Sequence, residues 1–232
     1  MKSEYLLLNL IILAGPLLMS FERQIHFVDK WRYAGPAIII VAIPYLIWDS
    51  LVTGTHWWFN EKYTLDFRLA GLPIEEWLFF FTVPFAALFI WEVIGLHYRH
   101  DRKLSKLKRL RYGLYSLQLF GLLFFISGKE YTGLMLIFLG GAIIADRVLK
   151  TGLLWRTKFF VYLIVLIGLM LVFNGFLTWR PVVLYGEAYQ LGFRVGTIPI
   201  EDFGYGLSLV FWNTIFYEKF KSAAADAKGG FR

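Results

Sequence analysis

The sequence predicts an all-α integral membrane protein with seven transmembrane helices. The chain of 232 residues is 58% hydrophobic and only 18% charged, whereas a soluble domain carries about a quarter charged residues. Its apolar residues fall in seven uncharged runs without strand-like alternation, and one segment of 16 residues recurs 126 positions later. Only helices and closed barrels satisfy their backbone hydrogen bonds in lipid, so the runs favour a helical bundle.

The seven uncharged runs cover residues 5–21, 33–48, 77–91, 112–128, 131–145, 159–179 and 203–217. Several are shorter than the roughly 20 residues that a membrane span usually needs. Terminal acids and snorkelling lysine or arginine side chains can lengthen them. Trp and Tyr stand at many of their ends, as in the aromatic belts of membrane interfaces. Each run is therefore interpreted as one span.

The distribution of basic residues predicts the orientation of the bundle. Seven spans place 18 Lys and Arg residues on the face that holds the C-terminus and 6 on the other face. The positive-inside rule then predicts a multi-pass cell-membrane protein with its N-terminus outside and its C-terminus in the cytoplasm. The basic segment 96–111 is interpreted as a topology signal or a contact with anionic lipid rather than with nucleic acid.

An internal repeat organises the chain. Segments 61–76 and 187–202 share eight identical residues of 16 without a gap. Extending the same offset outward pairs span 1 with span 5, span 2 with span 6 and span 3 with span 7. The predicted fold is two parallel three-helix repeats, 1–95 and 129–220, joined by a basic loop and linking helix over 96–128. The tail 221–232 is predicted to be disordered.

Each repeat carries a Pro-Ile-Glu-acid motif, at residues 73–76 and 199–202. A proline followed by acids is typical of a helix start, since carboxylates in the first turn oppose the helix dipole. Because both motifs introduce apolar spans, their carboxyls are also candidates for proton transfer at membrane depth. The candidate acids and bases are Glu75, Glu76, Glu201, Asp202 and Asp49, which ends span 2.

Further candidates surround the motifs. Aromatic rings could stabilise a carbocation through cation–π contacts, although most such rings are ordinary packing or interfacial residues. The selected aromatic residues are Trp48, Trp58, Phe59, Trp77, Phe79 and Tyr205. Arg68 and Arg194 could pair with the motif glutamates, which would weaken them as acids. Asn174 corresponds to Asp49 if the second copy has a one-residue insertion. With no cysteine and few histidines in the chain, no metal site is predicted.

The motifs PIEEWLFF and PIEDFGYG, together with the segment WDSLVTGTHWWFN, resemble the lycopene cyclase domain family. The resemblance covers about residues 1–220 and corresponds to the fused two-repeat form without a phytoene synthase domain. It implies that Glu75 and Glu201 match the motif glutamates of that cofactor-free membrane family. Of these, Glu75 is slightly favoured as the acid because its surroundings are more aromatic.

The resemblance implies a non-redox lycopene β-cyclase that converts the ψ ends of lycopene to β rings by carbocation cyclisation. Its partners would be lycopene or a related carotenoid, the lipid bilayer and other enzymes of carotenoid synthesis. A flavin is not expected, because no dinucleotide fingerprint is present. The alternatives are a small-solute transporter of the SWEET type, which shares the three-one-three plan, and a cyclase for another acyclic carotenoid or for an ε ring.

Overall fold

The computed structural model describes residues 2–98, 101–104 and 110–229. Its helices are α1 (Glu4–Met19), α2 (Trp31–Val52), α3 (Ile74–His97), α4 (Leu110–Tyr115), α5 (Leu117–Ile126), α6 (Glu130–Val148), α7 (Thr157–Trp179) and α8 (Ile200–Gly229). Short strands lie in the two loops that precede α3 and α8. They are β1 (Trp57–Phe59), β2 (Arg68–Leu69), β3 (Leu72–Pro73), β4 (Val183–Tyr185), β5 (Arg194–Val195) and β6 (Ile198–Pro199).

The helical architecture agrees with the predicted membrane protein. Within the described residues, four segments are long and apolar enough to cross a membrane, namely Phe27–Val52, Ile74–His97, Glu130–Val148 and Thr157–Trp179. Helix α1 and the segment Tyr112–Ile126 are apolar but shorter. Helix α8 has 30 residues, and its acids and its polar C-terminal part make it less apolar than these four. The exact seven-span arrangement therefore stays a prediction.

Two parts of the chain differ from the sequence-based expectation. The expected linking span is divided at Ser116 into α4 and α5, and α5 ends at Ile126. The tail predicted to be disordered is helical over its described part, because α8 continues to Gly229. Alanine-rich sequence after Ser222 explains this extension, since alanine has the highest intrinsic helix propensity. The basic segment 96–111 falls partly outside the described residues.

An approximate twofold relation between the repeats is visible in the loops. Strands β1 and β4 pair antiparallel, with Trp58 opposite Leu184 at the centre of the pairing. These two residues are 126 positions apart, so each strand pairs with its own counterpart and the axis passes between them. The helices follow the same relation, because the contact of α2 with α8 is matched by that of α7 with α3.

A β-hairpin with a two-residue loop precedes each of the two helices that carry a motif, α3 and α8. Strands β2 and β3 pair with Arg68 opposite Pro73, and β5 and β6 pair with Arg194 opposite Pro199. The first hairpin turns through Ala70 and Gly71, which both have positive φ angles, 51° and 81°. Two left-handed residues in a two-residue loop match the right-handed twist of the flanking strands. The hairpins therefore fix the direction in which α3 and α8 begin.

Candidate active site

The first glutamate of each motif anchors its own loop. Glu75 is fully buried, and its Oε1 atom accepts the Leu65 N–H at 2.7 Å. Glu201 is equally buried and accepts the Leu191 N–H at 2.7 Å. It also accepts the Thr132 hydroxyl at 2.6 Å. Both carboxyls thus join the start of a helix to the segment just before its hairpin, and neither contributes to the wall of the large cavity described next.

The second acid of each motif faces a cavity of about 510 Å³ between α1, α3, α7 and α8. Adjacent residues of an α-helix point about 100° apart, so Glu76 and Asp202 face the cavity while their neighbours face the loops. Asp49 and Asn174 line the same end of this cavity, and the rest of its wall consists of apolar side chains and of tyrosine and tryptophan rings. A pocket of this size suits a small molecule or one end of a longer one.

Glu76 lies beside Tyr5 and Asp49. The Tyr5 hydroxyl donates to Glu76 Oε2. Asp49 is held in place by the Trp57 indole N–H, which donates to its Oδ1 atom at 2.6 Å. Asp49 and Glu76 are both buried and line the same cavity. Two close, buried carboxyls without a cation between them favour a state in which one carries a proton.

Asp202 has a different set of partners. Tyr131 donates to its Oδ1 atom at 2.6 Å, and Tyr185 and Asn174 donate to Oδ2 at 2.7 and 2.8 Å. Burial, together with the neighbouring Asp202, raises the pKa of Tyr185 well above its ordinary value, so this phenol remains a donor. Three donors on one carboxyl stabilise its charged form. The two acids of the cavity thus have different hydrogen-bond partners.

The comparison with known families follows the same division of the chain. The model of the lycopene cyclase family matches residues 2–94 and again residues 128–220. The chain belongs to the lycopene cyclase family. Neither the search of curated proteins nor the search of solved structures found a match. The two family matches leave only the linking region and the end of the chain uncovered, as the fused two-repeat form requires.

This member of the lycopene cyclase family keeps the arginine of each hairpin away from the motif acids. Arg68 Nη2 donates to the Thr64 hydroxyl at 3.1 Å, and Arg194 Nη1 donates to the Thr197 carbonyl at 2.9 Å. Among the described residues, neither arginine forms an ion pair with a motif glutamate. Both guanidinium groups therefore support the hairpins, and they leave the acids of the cavity without a cationic neighbour from this source.

Of the six aromatic residues selected from the sequence, three line the cavity and three do not. Phe59, Phe79 and Tyr205 line the cavity. Trp48, Trp58 and Trp77 lie outside its wall. Trp58 is 43% exposed on the outer strand β1, and the Trp77 indole N–H donates to the Leu69 carbonyl at 3.0 Å. These three rings have packing or loop-supporting roles, which are the ordinary uses of tryptophan near a membrane interface.

Sequence reasoning missed four residues of the cavity that contact its carboxyls, which are Tyr5, Trp57, Tyr131 and Tyr185. The first and third could have been found, because Tyr5 and Tyr131 are 126 positions apart and both contact the second motif acid. Tyr185 had no such signal. Its repeat counterpart is Phe59, which has no hydroxyl to donate.

Proposed function

We propose that this lycopene cyclase converts the ψ ends of lycopene to β rings without a redox change, and that Glu76 supplies the proton. The observation that carries the proposal is the burial of Glu76 and Asp49 together at one end of an apolar, aromatic-lined cavity. An undissociated carboxyl in such a setting can act as a general acid toward an apolar substrate.

The reaction conserves atoms and electrons. The proton adds to C2 of the ψ end, which leaves a tertiary cation at C1. The π electrons of the C5=C6 bond then form the C1–C6 bond, and the cation moves to C5. Loss of a proton from C6 gives the β ring, whereas loss from C4 would give an ε ring. One proton enters and one leaves, so the product is an isomer of the substrate.

Asp202 is the proposed anion of the mechanism. Its three donors hold a negative charge in position before the substrate arrives, and preorganised charge stabilises a cationic intermediate more than mobile solvent does. The rings of Phe79, Phe59 and Tyr205 line the same cavity and would stabilise the cation through their faces. Asp202 or the resulting Glu76 carboxylate would accept the proton that leaves the ring.

Expression in a bacterium that accumulates lycopene tests this function. We expect cyclic carotenoid to replace lycopene, and membranes that contain the protein and preformed unlabelled lycopene are expected to yield rings that carry deuterium at C2 when incubated in deuterated buffer. Chromatography and mass spectrometry of the pigments measure both results, with cells that lack the gene as control. Unchanged lycopene in cells whose membrane fraction contains the protein would contradict the proposal. An ε-ring product, or activity only on another acyclic carotenoid, would show that the product or the substrate is assigned wrongly.

The same proposal includes the orientation predicted from charge, with the motif end outside and the end of α8 in the cytoplasm. Since the chain has no cysteine, single cysteines can report it through labelling with a membrane-impermeant maleimide. In spheroplasts, we expect Glu61→Cys to be labelled directly and Ser222→Cys only after permeabilisation, because both positions are exposed. The reverse pattern would overturn the orientation.

A further inference from the structure

The cavity lies in only one half of the molecule, although the two repeats are related by an approximate twofold axis. Three positions of its wall carry side chains without an aromatic ring, which are Ile12 on α1, Ala86 on α3 and Met170 on α7. The corresponding positions of the other half carry aromatic rings. With offsets of 126 for α6 and α8 and of 125 for α2, they are Phe138, Trp212 and Tyr45.

These rings fill the space that corresponds to the cavity. The Tyr45 ring packs edge-on against Phe138, with centroids 4.6 Å apart, and lies 5.0 Å from the ring of Tyr205. The Trp212 indole N–H donates to the Phe138 carbonyl at 2.9 Å, which fixes the third ring beside them. Well-packed rings of this kind leave no room for a ligand. The second half is therefore closed by its own side chains.

The linking helix also covers the closed half. Helix α5 packs on α6, and its Phe125 ring lies 6.2 Å from that of Trp48 on α2. It thus bridges the gap between α6 and α2. On the cavity side, the corresponding gap between α1 and α7 has no equivalent cover within the part of the chain that the structure describes. At the end of this gap where α1 begins, Arg180 Nε and Glu4 Oε2 form an ion pair at 2.8 Å.

The cavity reaches the surface of the bundle through this gap. Ile11 and Met19 on α1 line the cavity and are nevertheless 55% and 47% exposed. Helix α7 forms the other side, and only 17% of its most apolar stretch is buried. An apolar opening between two predicted membrane spans faces hydrocarbon, where an acyclic carotenoid dissolves.

We propose that the cavity accepts one end of the acyclic carotenoid from the bilayer, between α1 and α7, and that the enzyme closes one ring per binding event. The inference rests on the proposed function and extends it. Glu76 and Asp202, one acid from each repeat, face the same cavity, so the two motifs serve a single substrate end. A second ring on the same molecule then requires release, reversal and rebinding.

A time course with the purified full chain in liposomes tests this inference. With lycopene in excess over enzyme, we expect the monocyclic product to accumulate in the membrane before the bicyclic product forms. Isotopically labelled monocyclic carotenoid added during the reaction is expected to enter the bicyclic product. A product that remains monocyclic would also support one ring per binding event. Bicyclic product from the first turnovers that excludes the added label would overturn it, whereas no cyclic product at all would instead reject the proposed function.

A matched pair of variants tests whether the substrate end occupies this cavity. Met170→Tyr copies the corresponding ring of the closed half into the cavity, and we expect the cyclisation rate to fall on the order of tenfold or more. Val172→Tyr, on the same helix but 64% exposed and outside the cavity wall, is expected to retain the rate. If Met170→Tyr fails to fold, Ile12→Phe makes the same test from α1. Unchanged rates in folded Met170→Tyr or Ile12→Phe would overturn the assignment.

Discussion

Glu76→Gln is expected to lower the turnover number of cyclisation by about 10²- to 10⁴-fold, the range that a positioned general acid contributes. Glutamine keeps the size of the side chain and can still accept the Tyr5 hydroxyl, but it has no acidic proton to transfer. The substrate end should still enter the cavity, so the effect should fall on turnover rather than on KM. Initial rates at several lycopene concentrations in liposomes measure the two quantities separately.

Glu75→Gln is the matched control, since it changes the adjacent residue in the same way. Its side chain oxygen can still accept the Leu65 N–H, and the residue does not line the cavity. We therefore expect turnover close to that of the unmodified chain. Any loss should appear in thermal stability, because a buried amide that lacks a partner costs about 1–3 kcal/mol. If Glu75→Gln loses turnover while Glu76→Gln keeps it, the assignment of the acid is wrong.

This pair of variants also identifies what sequence alone could not decide. The repeated motif placed acids at two helix starts, and the structure has helices starting at Ile74 and Ile200 as that pattern predicts. Which of two neighbouring acids faces the cavity depends on the direction in which the helix begins. That direction is set by the hairpins β2–β3 and β5–β6, whose pairing was not visible in the repeat.

The correspondence of Asp49 with Asn174 had a clearer sequence signal. An insertion of one residue in the second copy aligns them, and both lie beside the second acid of their own motif. Their chemical difference makes the two halves unequal. A second carboxyl beside Glu76 favours a protonated form of the pair, whereas the amide beside Asp202 donates a hydrogen bond to it, which favours a charged carboxylate. Duplication therefore supplied two acids, and divergence at one neighbouring position gave them different partners.

The sequence could not predict the closed half of the bundle, for a different reason. Tyr45, Phe138 and Trp212 lie on three different helices, and each is an ordinary apolar residue in an apolar span. Only their packing reveals that they fill one space. The linking helix likewise appeared as an unpaired span. Its close packing against α6 depends on Gly121 and Gly133, and nothing in the sequence distinguishes these two from the other glycines of a chain that has 21.

The second large expected effect comes from substituting Gly133. We expect Gly133→Ala to lower the stability of the protein and Gly133→Val to prevent folding. A Cβ atom at Gly133 would lie 2.5 Å from the Phe125 backbone nitrogen and 2.6 Å from the Gly121 carbonyl oxygen. Both atoms belong to the backbone of α5 and cannot rotate away, so the helices must separate. Small residues permit such close approach of membrane helices, and overpacking typically costs about 1–3 kcal/mol.

Thermal unfolding of the detergent-solubilised chain measures this effect, and Gly168→Ala on α7 is the matched control. A Cβ atom at Gly168 meets nothing within 4 Å, and alanine favours a helix interior by roughly 0.5–1 kcal/mol over glycine. We therefore expect Gly168→Ala to unfold at the same temperature as the unmodified chain or higher, and Gly133→Ala at a clearly lower one. Equal stability of the two variants would mean that α5 does not pack closely on α6, and the closed half would then lack the cover that makes the cavity one-sided.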